Sequence, residues 1–281
     1  VIQAIKIKSD NEYSFVDYKK ESIAELSKEQ IEEKMLQSGL WCLLRQRPYN
    51  VVPSLENKPK YIIVSGFDSS PLAPNYNILV KGEKAAMQVG IDVLKKITEK
   101  PIYLCVNKDL TTSDEILSLQ DVEIKSFYGK HPCGNVSIQA EKINPINKGE
   151  RIWFVNLVDV ITIGNLFLEG RYNSEKIIAL TGEEVKSPCY YKVRRGVSIK
   201  NLIKDNVNTE DHLRFISGNV LTGTRINEDG FLGAFDNQLT VIKEGDYKEG
   251  LGWLKLGLKK FSFSHTFLSG FCINHRKRPF V

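Results

Sequence analysis

Residues 61–106 read YIIVSGFDSSPLAPNYNILVKGEKAAMQVGIDVLKKITEKPIYLCV, and this stretch decides the fold. Tyr61-Ile-Ile-Val64 is a continuous apolar run, the pattern of a strand buried on both faces. Ser65 to Pro74 is a loop punctuated by Gly66, Asp68, Pro71 and Pro74. From Glu83 to Thr98, the residues Ala86, Gly90, Val93 and Ile97 recur along one helical face. Ile102 to Val106 is a second strand, and Val122 to Ser126 a third. A strand, a helix and a strand joined at these lengths imply a parallel pair. The class is α/β, with a Rossmann-like layer.

Upstream, residues 1–7 alternate loosely and read as a strand. Ser27 with Gln30 forms a capping box and opens a helix carrying Ile31, Met35 and Leu36, which Gly39 stops. The apolar run Leu40-Trp-Cys-Leu-Leu44 then gives way to Arg45-Gln-Arg-Pro48-Tyr49. Downstream, Gly129 to Gly134 is a loop, and Arg151 to Asn156 a strand. Asp159 is placed to cap a helix running through Leu168 to Gly170. Past Gly170 the texture changes to short β segments at 176–180, 190–193, 213–216 and 238–243, with Ser198 capping a short helix. Four strands around one helix suggest a small β-grasp-like domain. The organisation expected is a Rossmann-like domain over 1–170, a β-grasp-like domain over 171–245, and the start of a further domain over 246–281.

Composition narrows the function classes. The 281 residues are 42% hydrophobic and 26% charged, ordinary globular usage that excludes a disordered chain. A balance of 39 basic against 34 acidic residues leaves +5, too little to announce a nucleic-acid binder. No run of 18 apolar residues exists, so no segment reads as membrane-spanning. Cys42, Cys105, Cys133, Cys189 and Cys272 are odd in number and widely spaced, which argues against a disulfide framework, a zinc site or an iron–sulfur run. Gly250 and Gly252 begin a G-x-G whose third glycine position holds Lys255, so the dinucleotide fingerprint fails.

The remaining chemistry-bearing residues each admit two readings. Arg45 and Arg47, beside Trp41 and Tyr49, either hold an anionic or quinoid ring or satisfy carbonyls at a helix end. Asp68 follows a strand, where open α/β sheets bind ligands, and either binds a ribose or closes a turn. His131 is a proton carrier or a loop residue with one hydrogen bond. Arg276 to Arg278 is a solvated run or a contact to anionic lipid.

Taken in order, Ser38-Gly-Leu-Trp41 with Arg45, Arg47 and Pro48, then Asp68, Pro71-Leu-Ala73 and His131-Pro132, resemble one family along most of the chain. Asp159-Val-Ile161, Ile163-Gly164, Ile216-Ser-Gly218, Leu232-Gly233, Gly252-Trp253 and Lys260-Phe-Ser262 continue the match. The family is the A-type subunit of the bacterial sodium-translocating NADH:quinone oxidoreductase. The resemblance implies a peripheral subunit on the cytoplasmic side of the bacterial inner membrane, docked on the other membrane and peripheral subunits of its complex. It implies no cofactor bound in this chain, while the complex uses NADH, flavins, an iron–sulfur cluster, ubiquinone and Na+. It also implies a quinone-associated segment at Leu44–Val51, which makes Trp41, Leu44, Arg45, Arg47, Pro48 and Tyr49 the candidate quinone residues, with Asp68 and His131 as secondary loop candidates and no metal ligand.

The chain departs from the family pattern in two places. Asn135 to Ala140 replaces a turn that usually carries a second histidine, and Val158 stands where a glutamine is common. The resemblance also makes this chain the core of a longer subunit. Two rivals of other classes remain. One is the C-type subunit of an ion-translocating ferredoxin:NAD oxidoreductase, an iron–sulfur electron carrier. The other is a freestanding module for a small soluble ligand.

Overall fold

Ile62, Ile63 and Val64 are wholly buried, because helices cover both faces of the sheet they join. The computed structural model describes residues 5–8, 12, 14–208, 212–246, 250–254, 256, 257 and 268. They form two compact units, Val1–Lys243 and Glu244–Val281. Within the second unit, Gly252–Leu254 is a 3-10 turn and Leu268 N donates to Leu256 O at 3.0 Å. Phe261–Phe267 and Arg276–Arg278, part of the unit expected to begin at 246, lie outside the described residues.

The first unit begins with α1 (Lys28–Gln37), whose capping box forms as expected: Gln30 N donates to Ser27 Oγ, and Ser27 N to Gln30 Oε1. A 3-10 turn at Leu40–Leu43 leads into β1 (Arg45–Arg47). Then come β2 (Ile62–Ser65), α2 (Tyr76–Leu79), α3 (Lys84–Thr98) and β3 (Ile102–Asn107). They are followed by α4 (Asp114–Leu117), β4 (Glu123–Phe127), α5 (Val136–Ile143), β5 (Ile152–Asn156) and α6 (Leu157–Glu169). The sheet order is β1-β5-β2-β3-β4, parallel except for β1. Ile62, Val64, Leu104 and Val155 face a core shared with α1, α3 and α6, while Ile63 and Cys105 face α5. The α3–α6 crossing is close: a Cβ on Gly164 would overlap the Ala86 carbonyl, and one on Gly90 the Val160 carbonyl.

The second sheet consists of β6 (Glu175–Thr181), β7 (Cys189–Arg194), β8 (Leu213–Ser217), β9 (Thr224–Ile226) and β10 (Gln238–Lys243), with α7 (Lys200–Ile203) before β8. Its order is β7-β6-β10-β8-β9, with β6 and β10 parallel at the centre and the remaining pairs antiparallel. This is the small β domain expected, with one strand more than the sequence suggests. Ile178, Leu180, Leu239 and Val241 pack beneath Ile199, Leu202 and Ile203, while Ile177 on the other face packs against the first core.

Several local expectations are corrected. Residues 5–8 form no strand, and residues 1–4 lie outside the described ones. The N-cap of α6 is Asn156, whose Oδ1 accepts from Val158 N at 3.0 Å, and Asp159 lies inside the first turn. Ser198 caps nothing; it bridges to Phe231, and α7 starts after Ile199. Asn135, where the chain departs from the family pattern, is the N-cap of α5, and Val136 to Ala140 are its first residues.

Candidate functional site

The chain reaches β1 through Gly39, whose φ of +75° suits glycine and ends α1. The 3-10 turn then buries Leu40, Trp41 and Leu43, and Leu44 follows them into the core. β1 pairs antiparallel with β5, setting Arg45 opposite Phe154, Gln46 opposite Trp153 and Arg47 opposite Ile152. Strand alternation sends Gln46 and Trp153 to the face of α1, α3 and α6, and both arginines to the face that carries Phe154 and α5. The arginines therefore sit on an edge strand, and their reading as caps of a helix end is overturned.

Each guanidinium lies over an aromatic ring: Arg45 is 4.8 Å from the Phe235 centroid, and Arg47 is 5.1 Å from that of Phe154. Burial lowers the Arg47 pKa from its ordinary value, although a guanidinium stays charged. Arg47 Nε is buried without a hydrogen-bond partner among the described residues, as are Gln46 Oε1 and Trp153 Nε1. A donor with no partner is costly to bury, so an acceptor brought to Arg47 would gain from filling that position.

The six quinone candidates thus fall in three places. Arg45 and Arg47 share a sheet face. Trp41 is a core residue, edge-on to Trp153 at 5.7 Å with its Nε1 donating to Pro53 O at 2.8 Å, and Leu44 is equally buried. Pro48 and Tyr49 stand in the turn after β1, with Tyr49 80% exposed.

The secondary candidates gather at the carboxyl ends of β2 and β5. Open α/β sheets hold ligands outside the carboxyl ends of their strands, although here the connections leaving β2 and β5 both run to the face of α3 and α6. Asp68 Oδ1 accepts from Ser70 N at 2.8 Å and closes a turn. His131 Nδ1 lies 3.1 Å from Ser69 Oγ, which also accepts from Gly134 N at 2.8 Å. Asn156 Nδ2 donates to Tyr76 OH at 2.5 Å, and burial raises the Tyr76 pKa. A cavity of about 100 Å³ opens here, lined by Asp68 after β2, Tyr76 of α2, Asn156 of β5, and Phe235, Asp236 and Asn237 from the loop before β10. Phe235 therefore touches Arg45 and this crevice at once.

The loop bearing Phe235 is held by buried charge. Lys176 Nζ donates to Ala234 O at 3.0 Å and to Asp236 O at 2.6 Å. Burial pushes the Lys176 ammonium down to about 8. Arg195 Nη1 donates to Ala234 O at 3.0 Å, while its Nη2 reaches Asp159 Oδ1 at 2.5 Å and Thr162 Oγ1 at 3.0 Å on α6. Sequence reading misses Lys176, Arg195 and Phe235. No local motif marks them, and only their partners distant in sequence give them meaning.

A larger cavity of about 640 Å³ lies elsewhere, lined by Phe15, Tyr18, Arg171, Tyr172 and Arg194, and none of the candidate residues borders it. Cys42, Cys105, Cys133 and Cys189 are free thiols, and burial pushes Cys105 up to about 12. Among the described residues no cluster of three His, Cys, Asp or Glu side chains is arranged for a metal, and no helix is long and apolar enough to cross a membrane.

Comparison with known proteins identifies the family. The A-type subunits of the Na(+)-translocating NADH-quinone reductases of Actinobacillus pleuropneumoniae serotype 5b and Klebsiella pneumoniae strain 342 are each 35% identical to this chain, and that of Pasteurella multocida strain Pm70 is 32% identical. Each alignment covers 95% of this chain, which spans about 60% of the length of these curated relatives. A crystal structure of NAD+-reducing NiFe-hydrogenase in the air-oxidized state superposes at TM-score 0.51, over 79% of this chain and 50% of that one, with 12% identity. That is a likeness of fold alone. The family described as NqrA second alpha/beta domain matches residues 26–172, more than half of the chain, and that described as NQRA C-terminal domain matches residues 177–228, so the chain belongs to the NqrA family.

Proposed function

We propose that this chain belongs to a peripheral subunit of a sodium-translocating NADH:quinone oxidoreductase, and that it helps to bind ubiquinone and to assemble the complex. It acts on the cytoplasmic side of the membrane, while NADH, flavin, iron–sulfur and Na+ chemistry belongs to partner subunits. The division at 170/171 and 245/246 is part of the same reading: a Rossmann-like first domain that carries the ring-binding residues, a β-grasp-like second domain, and the start of a further one.

The observation that carries this reading is the pair of arginines on β1, each over an aromatic ring, with the Arg47 Nε buried and unpartnered among the described residues. A quinone offers a planar ring and two carbonyl oxygens that gain charge on reduction. Arginine donors held on aromatic faces favour that charge and orient the ring. Trp41 and Leu44 shape the interior behind β1, and Pro48 and Tyr49 present an exposed turn beside it.

The test is steady-state kinetics of the assembled complex with ubiquinone bearing one isoprenoid unit. Arg45→Ala with Arg47→Ala is expected to raise the quinone KM about tenfold or more, the loss of two charge-assisted hydrogen bonds. An unchanged KM, with the complex intact, would remove the site assignment.

A further inference from the structure

We infer that Phe235, from the loop before β10, is a positioning residue for Arg45, so that the second sheet supplies one wall of a site on the first. This rests on the quinone reading above. The geometry that suggests it is a convergence: the Phe235 ring lies beneath the Arg45 guanidinium at 4.8 Å, lines the crevice with Asp68, and keeps 43% of its surface exposed. Arg45 is half-buried on a three-residue edge strand. Without a platform its long side chain would sample many rotamers, and a ligand would have to select one of them.

The platform itself is fixed from both sides. The residue before Phe235 has its carbonyl held by Lys176 and Arg195, and the residue after it has its carbonyl held by Lys176. Ser217 Oγ donates to Asp236 Oδ2 at 2.5 Å and accepts from Gly233 N at 2.8 Å, closing the loop upon itself. A Cβ on Gly233 would crowd Asp236 Oδ2, so the carboxylate would have to turn away from Ser217 to admit one. A loop tied at 233, 234 and 236 leaves the Phe235 backbone little freedom, and the ring becomes a rigid face. The ligand class is a planar ring bearing carbonyl oxygens, which Arg45 approaches with its donors already aimed.

The experiment compares Phe235→Leu, Phe235→Trp, Arg45→Ala and the Phe235→Leu/Arg45→Ala pair in the full-length subunit within its assembled complex. It measures KM and kcat for ubiquinone with one isoprenoid unit. Phe235→Leu is expected to raise KM about three- to fivefold with kcat unchanged, the scale of one cation–π contact at a partly exposed site. Phe235→Trp restores the KM, and in the pair the leucine adds nothing to the effect of Arg45→Ala. A merely structural role for Phe235 would give full additivity and no rescue by tryptophan, and either result overturns the inference. If Arg45→Ala raises KM while Phe235→Leu does not, only the positioning role falls. If Arg45→Ala leaves KM unchanged, the quinone reading falls and the positioning role falls with it.

Discussion

The two sheets of the first unit solve the same problem with different chemistry. In the first, Ile62, Ile63, Val64, Leu104 and Val155 are buried among apolar neighbours, with helices on both faces. In the second, one short helix covers one face, and the interior admits Lys176, Glu184, Gln238 and Thr240, all less than 6% exposed. These polar groups are partnered: Asn208 Nδ2 donates to Glu184 Oε2 at 2.9 Å, and Thr240 Oγ1 to Gly218 O at 2.7 Å. A sheet covered by one short helix has a smaller apolar core, so directional contacts carry more of its specification. The difference teaches where each kind of perturbation should be felt. Changes of volume act on the first sheet, and changes of charge act on the second and on its junction with α6.

The junction should show the largest effect. Asp159 and Arg195 form an ion pair with side chains only 8% and 7% exposed. Removing one partner leaves a buried charge unpaired, at a cost of about 3–5 kcal/mol. Asp159→Ala should lower the stability of the chain by that amount in urea denaturation. Asp159→Leu combined with Arg195→Met should recover much of the loss, because an apolar pair of similar size avoids the desolvation of both charges. A loss below about 1 kcal/mol for Asp159→Ala would place the pair among surface bridges and erase the contrast.

Lys176 sharpens the contrast through pH. Burial is the leading cause of its depressed pKa, with Arg195 adding to it and Asp159 and Asp236 opposing. Below pH 8 the ammonium is charged in both folded and unfolded chains, so the pH dependence is flat there. Between about 8 and the ordinary value of 10.5 the unfolded chain holds more protons, and stability rises with pH. Relative to Lys176→Met, the chain should therefore gain about 3 kcal/mol across that window. Tyr61 and Cys105, both pushed up to about 12, act in the opposite sense at alkaline pH, but they are common to both chains and cancel in the difference. A flat difference from pH 8 to 10.5 would mean that the second sheet holds no strained charge.

Much of the first sheet is legible because its signals are local. The run at 61–64, the helical spacing of Ala86, Gly90, Val93 and Ile97, and the Ser27–Gln30 box each announce themselves within a few residues. β1 does not, since Arg45-Gln-Arg47 has no apolar run and becomes a strand only because β5 offers an edge. The cap of α6 is missed because Asp159 has the residue type of a cap, and only the end of β5 shows that the helix already begins at Leu157. The site is less legible still. Arg45 is visible as a candidate, but Phe235 beneath it is brought near by the approach of the second sheet. Lys176 and Arg195 look like surface cations until their carbonyl partners are seen.

The smallest effect belongs to the first sheet and should be blind to pH. Gly164 on α6 meets Ala86 on α3 so closely that a Cβ would overlap the Ala86 carbonyl oxygen, a backbone atom that cannot turn aside. Alanine is the better helix former by about 1 kcal/mol, which works in favour of Gly164→Ala. Parting two packed helices costs about 3 kcal/mol at the upper end for overpacked cores, which works against it. The net expectation is a loss of about 2 kcal/mol, from the same two terms. The loss should be equal at about pH 7 and about pH 9, because overlap of uncharged atoms does not titrate. A loss that grew or shrank over that interval would show that the α3–α6 contact communicates with the charged junction at Asp159, and the separation between the two sheets would have to be redrawn.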